Sequence, residues 1–151
     1  MFHLKVGDTA PDINAKDENG NNFQLSAHKG KKVILYFYPK DNTPGCTAQA
    51  CNLKDNYAEI QKRGYELVGV SADDEVKHQK FIAKYDLPFT LLADTNKKVI
   101  QDYGVWGLKK FMGKEYDGIH RTTFVIDEKG KIEKIIQKVK TKAHTEQILK
   151  D

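Results

Sequence analysis

The sequence predicts an α/β fold, a mixed central sheet covered by helices on both faces. Three observations predict it: an almost unbroken apolar run at Lys32–Tyr38, strand-like segments alternating with segments of helical spacing, and a hairpin signal toward the C-terminal end.

The elements follow in chain order. The stretch DINAKDENGNNFQL has Asn19-Gly20 between two short alternating runs, which predicts an added N-terminal β-hairpin. Lys32–Tyr38 reads as a strand buried on both faces. After the polar loop Pro39–Gly45, residues Cys46, Ala50, Leu53, Tyr57 and Ile60 recur at helical spacing, and Gly64 ends that helix. Tyr65–Ser71 is a second strand, and Asp74–Tyr85 a second helix whose inner face carries Phe81, Ile82 and Tyr85. Phe89–Ala93 forms a third strand. Asn96–Tyr103 is a short helix, with Asn96 as its expected cap and Gly104 as its stop. Arg121–Asp127 and Lys131–Val139 flank Glu128-Lys129-Gly130 as a hairpin, and Thr145–Lys150 begins a closing helix. No repeat, low-complexity tract or linker interrupts the 151 residues, so residues 1–151 are expected to form one domain.

Composition narrows the function classes. Hydrophobic residues make up 39% and charged residues 30%, an ordinary globular balance. The longest apolar run is far too short to span a bilayer, and no membrane association is expected. The start, MFHLKVGDTAPD, has neither a basic segment nor an apolar signal core, so the expected compartment is the cytoplasm. The net charge of +4 comes from lysines interleaved with acids, as in Lys129–Lys142, without an arginine cluster or stacking aromatics, and nucleic acid is not an expected partner. His3, His28, His78, His120 and His144 are scattered, with no metal-ligand spacing, and Walker and dinucleotide fingerprints are missing. A structural zinc site is therefore not expected. Trp106 and Phe111 are candidates for an exposed apolar patch, with packing in the core or a loop as the alternative.

The chemistry concentrates in YFYPKDNTPGCTAQAC, residues 36–51, which holds both cysteines of the chain. In reducing compartments such a pair is catalytic, redox-sensing or metal-binding rather than a static crosslink. Cys46 falls in the first turn of a helix that follows the carboxyl end of a strand, where α/β sheets gather their ligands. Unsatisfied N–H groups and the positive helix end favour a thiolate there, and the pKa is expected to fall from about 8.5 toward neutrality. Pro39 and Pro44 fix the loop, and the Thr43 hydroxyl can donate and accept, which suits a small ligand with adjacent oxygens. The competing reading is a cysteine packed in the core beside Leu53 and Tyr57; it is stronger for Cys51, in mid-helix, than for Cys46.

Spacing adds a constraint. Five residues along a helix give a rise of about 7.5 Å and a rotation of roughly 140°, so the two Cα atoms lie some 8–9 Å apart. A disulfide needs them within about 7 Å. Cys46 and Cys51 can therefore bond only if the start of the helix unwinds, which Gly45 and Thr47 make accessible.

PKDNTPGC, residues 39–46, is similar to the peroxiredoxin signature Pro-x-x-x-Thr/Ser-x-x-Cys. A second cysteine five residues on, the GDTAPD start and the block YGVWGLKKFMGKEYDGIHRTTFVID, residues 103–127, resemble the subfamily called bacterioferritin comigratory protein or peroxiredoxin Q. The resemblance implies a thioredoxin-like fold and a thiol peroxidase without cofactor. It implies that Cys46 attacks the peroxide, Thr43 hydrogen-bonds thiolate and substrate, Pro39 shields the pocket and Arg121 is the pocket arginine. Cys51 would resolve the sulfenic acid as an intrachain disulfide, and thioredoxin or a similar dithiol would be the reducing partner. Gln49 stands where family members carry Glu or Gln. An intrachain pair needs no second subunit, which favours a monomer. Two rival readings remain at this stage: a protein disulfide oxidoreductase, weakened because the spacing is not C-x-x-C, and a redox-regulated binding protein whose helix melts on oxidation.

Overall fold

The computed structural model describes residues 3–150. A seven-stranded mixed sheet has the order β2-β1-β5-β4-β3-β8-β9. In its interior β3 (Lys32–Phe37) lies parallel to β4 (Tyr65–Ser71) on one side and antiparallel to β8 (Thr122–Ile126) on the other. A strand with neighbours at both edges and helices on both faces meets no water, which is why this segment is apolar throughout. Its side chains alternate between two cores: Val33, Leu35 and Phe37 join one, Ile34, Tyr36 and Tyr38 the other. Helix α1 (Pro44–Asp55), α2 (Tyr57–Lys62), α3 (Glu75–Tyr85) and α5 (His144–Leu149) cover the second face through Leu53, Ile60, Phe81 and Ile148. Helix α4 (Lys98–Asp102) covers the first through Val99 and Ile100.

The expected N-terminal hairpin is present as β1 (Asn14–Lys16) and β2 (Asn22–Gln24), and β1 extends the sheet at β5 (Thr90–Ala93) through the single pair Lys16↔Ala93. The closing hairpin joins β8 to β9 (Ile132–Ile136), with a bulge at Val125/Ile126.

The structure departs from the sequence reading in three places. The helix expected from Cys46 to Gly64 is two helices, broken at Asn56 (φ −111°, ψ 14°), whose side-chain Nδ2 donates to the Asn52 carbonyl at 2.8 Å. An asparagine that offers its own hydrogen bond competes with the helical ladder. Helix α4 is shorter than Asn96–Tyr103, and Asn96 is not its cap residue, a position taken by Lys97 at φ +61°. Asn96 Oδ1 accepts only from Lys98 N, while the buried Asp94 carboxylate accepts from the backbone N–H groups of Val99 and Ile100 at 3.3 and 2.8 Å. Finally, a separate two-stranded hairpin, β6 (Trp106–Phe111) and β7 (Lys114–Ile119), was not expected. Its turn places Met112 and Gly113 at φ +51° and +79°, and the methionine hid what an asparagine there would have announced. The hairpin separates the two candidate patch residues: Trp106 packs partly against the core at its base, and Phe111 is 64% exposed near its tip.

Among the described residues, no helix is long and apolar enough to cross a membrane.

Candidate active site

The β3 strand ends at Phe37, and the chain crosses the carboxyl edge of the sheet as the loop 38–43 before entering α1. Thr43 is the cap residue, Pro44 the first helical residue, and Cys46 the third. Proline tolerates this position because its missing N–H would have no helical partner. The Thr43 hydroxyl, however, makes no cap bond; it donates to the Lys40 carbonyl at 2.9 Å and so tightens the loop rather than reaching the sulfur. Pro39 and Thr43 are half-buried at the loop's two ends.

Cys46 is 2% exposed and belongs to the same core cluster as Tyr36, Ala50 and Leu53. Its surroundings are thus those of a packed core, and its sulfur in addition has a charged hydrogen-bond donor. Arg121, just before β8, donates from Nη2 to Cys46 Sγ at 3.3 Å and from Nη1 to Gln49 Oε1 at 2.5 Å. Gln49 lies one helical turn after Cys46 and is completely buried, which fixes the guanidinium against the first turn of α1. Gly45 makes this approach possible: a Cβ there would lie 3.2 Å from Arg121 Nη2.

Two buried polar atoms without a hydrogen-bond partner belong to this region, Gln49 Nε2 and the Tyr36 hydroxyl. Burial, and next the charge at Cys46, push the Tyr36 phenol well above its ordinary range, so it is a neutral donor. Lys109, on β6, donates to the Ile119 carbonyl at 2.9 Å; burial and then Arg121 lower its titration.

Cys51 is half-buried on the same helix, and both cysteines are free thiols. With α1 continuous from Pro44 to Asp55, the two occupy the helical separation that excludes a bond without unwinding. Of the five site residues expected from sequence, Cys46 and Arg121 are thus in direct contact, Thr43 and Pro39 frame the loop, and Cys51 stands off along the helix. Gln49 is part of the constellation although its sequence position alone gave it no role.

A cysteine sulfur at a helix start beside a fixed guanidinium, at the carboxyl edge of a thioredoxin-like sheet, fits a thiol peroxidase. The chain belongs to the peroxiredoxins: residues 6–135 match the AhpC/TSA family. Within them its similarity is to the bacterioferritin comigratory protein, or peroxiredoxin Q, subfamily. It is 47% identical to peroxiredoxin Bcp of Escherichia coli (strain K12) over 149 residues, 99% of this chain and 96% of that protein. A solved structure of Xanthomonas campestris peroxiredoxin Q is 32% identical, with a TM-score of 0.87 over 97% of this chain and 92% of that one. A second, of the bacterioferritin comigratory protein of Xanthomonas campestris, concerns that protein's alkyl peroxide reduction activity; it is 31% identical, with a TM-score of 0.87 over 99% of this chain and 95% of that one.

Proposed function

We propose that Cys46 is the peroxidatic cysteine and Cys51 its resolving partner, in a cycle that reduces hydrogen peroxide and organic hydroperoxides. The observation that carries this reading is the two-armed contact of Arg121 with Cys46 Sγ and Gln49. The Cys46 thiolate attacks the terminal oxygen of ROOH. The S–O bond forms as the O–O bond breaks, and the leaving alkoxide or hydroxide takes a proton to give ROH or water. Charge moves from sulfur to the departing oxygen, so a guanidinium held beside the sulfur stabilises it along the reaction. The unpartnered Gln49 Nε2 and Tyr36 hydroxyl are donors suited to the same developing charge. Thr43 and Pro39 set the loop that bounds the pocket. The reduction of alkyl peroxides by the Xanthomonas relative supports extending the substrate class beyond hydrogen peroxide.

The first turn of α1 then unwinds, the Cys51 thiol condenses with the sulfenic acid, and water leaves as the disulfide forms. An external dithiol reduces this disulfide by exchange, itself becoming oxidised; thioredoxin or a similar protein is the expected donor. Because resolution is intrachain, a monomer suffices. Two free thiols in one helix suit a reducing compartment, the cytoplasm.

The test is peroxide consumption with thioredoxin, thioredoxin reductase and NADPH, beside Cys46→Ser and Cys51→Ser. Sustained turnover lost in both variants is expected, with sulfenic acid accumulating at Cys46 in Cys51→Ser. Undiminished turnover in Cys51→Ser removes the two-cysteine mechanism, and a single equivalent consumed by the unaltered protein points to a sensor.

A further inference from the structure

Within the loop between β3 and α1, Thr43 bonds to Lys40 and Tyr38 to Asp41, and Asn42 takes a left-handed conformation, φ +61°. The loop is restrained further by a buried polar cluster centred on Asp41, which is 8% exposed. Asp41 Oδ1 accepts from the Tyr38 hydroxyl at 2.5 Å, and Oδ2 lies 2.6 Å from Nδ1 of His78, a completely buried residue of α3. The Asp41 backbone N–H donates to Asp73 Oδ2 at 2.8 Å, and that oxygen also accepts from Ser71 Oγ at 2.8 Å. Farther along, Asn42 Oδ1 accepts from Lys84 Nζ at 3.2 Å. Helix α3 and the turn before it thus grip the loop that delivers Cys46.

The protonation of this cluster follows from its partners. His78 Nε2 lies 2.9 Å from the Leu92 carbonyl oxygen, which can only accept, so Nε2 carries hydrogen. Nδ1 faces a carboxylate oxygen at 2.6 Å, a contact that requires a proton between them. The pair shares one proton between Nδ1 and Oδ2; without it, two lone pairs would face each other. The ligand atoms of Asp41, Asp73 and His78 lie within 4.8 Å of one another, but their hydrogen bonds commit them to protein partners, which makes the cluster a lock rather than a cation site. The groups facing it are Tyr38 from the start of the loop after β3, Asp73 with its ion partner Lys77, and Glu18 from the β1–β2 turn. Burial pulls the His78 titration down, and the hydrogen bond and charge of Asp41, the Leu92 carbonyl and Asp73 outweigh it, so the net movement is upward. The proton is therefore released at a higher pH than from a free imidazole.

We propose that the proton shared by Asp41 and His78 is a latch that holds the loop and the first turn of α1 folded, presenting Cys46 to peroxide, and that its release eases the unwinding needed for resolution by Cys51. Asp41 and His78 are positioning residues: they act through the loop and touch no reacting atom. The inference rests on the proposed roles of Cys46 and Cys51. It predicts a consequence for the sulfenic acid, which either condenses with Cys51, losing water, or attacks the O–O bond of a second ROOH through its sulfur to give sulfinic acid and ROH. A tight latch favours the second fate, a loose one the first.

The experiment is quenched-flow measurement of Cys46–Cys51 disulfide formation after one equivalent of hydrogen peroxide, from about pH 6 to 9.5, for the unaltered protein and for His78→Gln. A variant with both charges removed, Asp41→Ala/His78→Leu, accompanies them, because it leaves no unpaired buried charge if the single change does not fold. The ratio of variant to unaltered rate cancels the ionisation of Cys51, which both share. It is expected to be about tenfold at the acidic end, the effect of losing one charge-assisted hydrogen bond, and to fall toward one at the alkaline end. A ratio of one throughout, or a tenfold ratio independent of pH, overturns the latch. No disulfide in the unaltered protein overturns the resolving role of Cys51 and the latch with it; disulfide formation with a flat ratio overturns the latch alone. Amide exchange of residues 46–49 in the unaltered protein gives a check without substitution. After correction for intrinsic rates, opening should rise about tenfold across the same range, and a constant opening equilibrium rejects the proposal.

Discussion

Arg121 bridges two side chains three residues apart on α1, donating to the sulfur of Cys46 and to the amide oxygen of Gln49. Its value lies in a planar fork that can satisfy both at once, which a lysine, with a single ammonium on a flexible stem, cannot. Arg121→Lys is therefore expected to lower the second-order rate of the first peroxide step by about a hundredfold, the loss seen when one fixed donor to a developing anion is removed. Stopped-flow oxidation of Cys46 measures it, and an unchanged rate would detach Arg121 from the chemistry. The same scale explains why Gln49 gained no role from sequence. A buried glutamine on a helix ordinarily reads as a packing anomaly; only its partner 72 positions away makes it a support for the guanidinium.

At the scale of elements, the helices around the site are capped by side chains that sequence spacing did not always pick. Asp74, read from sequence only as the first residue of the helix, caps α3 by accepting from Lys77 N at 2.9 Å. For α4 the sequence pointed to Asn96, whereas the buried Asp94 holds two of its N–H groups. Replacing a buried acceptor strands those donors, so Asp94→Ala should cost about 1–3 kcal/mol in urea unfolding. Asn96→Ala, at an exposed position with one local bond, should cost well under half as much; equal losses would return the cap to Asn96. The hairpin β6–β7 and the split of α1 from α2 share a cause with this error. Each depends on one residue in an uncommon backbone state, Met112 at φ +51° and Asn56 at φ −111°, and hydrophobic periodicity carries no information about such states.

Across the whole molecule, two fully buried histidines respond to pH in opposite senses. His144 lies 2.7 Å from Thr123 Oγ1 and 2.9 Å from Gln147 Oε1. Burial, reinforced by Arg121 and opposed by the Gln147 hydrogen bond, lowers its titration, so it is neutral when folded. Its contribution to stability is present above the unfolded histidine pKa of about 6.5 and is lost as pH falls through the lowered value. His78 is raised, so its contribution is full below about 6.5 and is lost as pH climbs through the raised value. Chemical denaturation should therefore show greatest stability near about pH 6.5, declining on both sides by about 1.4 kcal/mol for each tenfold displacement of a titration. His144→Gln should flatten the acid limb and His78→Gln the alkaline one. An alkaline limb that persists unchanged in His78→Gln would show that other groups carry it.

The sequence by itself determined the α/β class, the central strand, the order of most elements and the placing of Cys46 and Cys51 on one helix after a strand, because burial on two faces and helical spacing are local signals. It also set the distance rule that obliges α1 to unwind before the two thiols can bond. Tertiary structure alone decided what surrounds them. Arg121 meets Cys46 across 75 positions and His78 meets Asp41 across 37, and neither histidine nor arginine carries a mark of its partner along the chain. Such pairings exist because β3 lies between β4 and β8 in the sheet, bringing α3 and the start of β8 to the same carboxyl edge. A contact between residues distant in sequence is a property of strand order, and strand order is fixed only when the whole core packs.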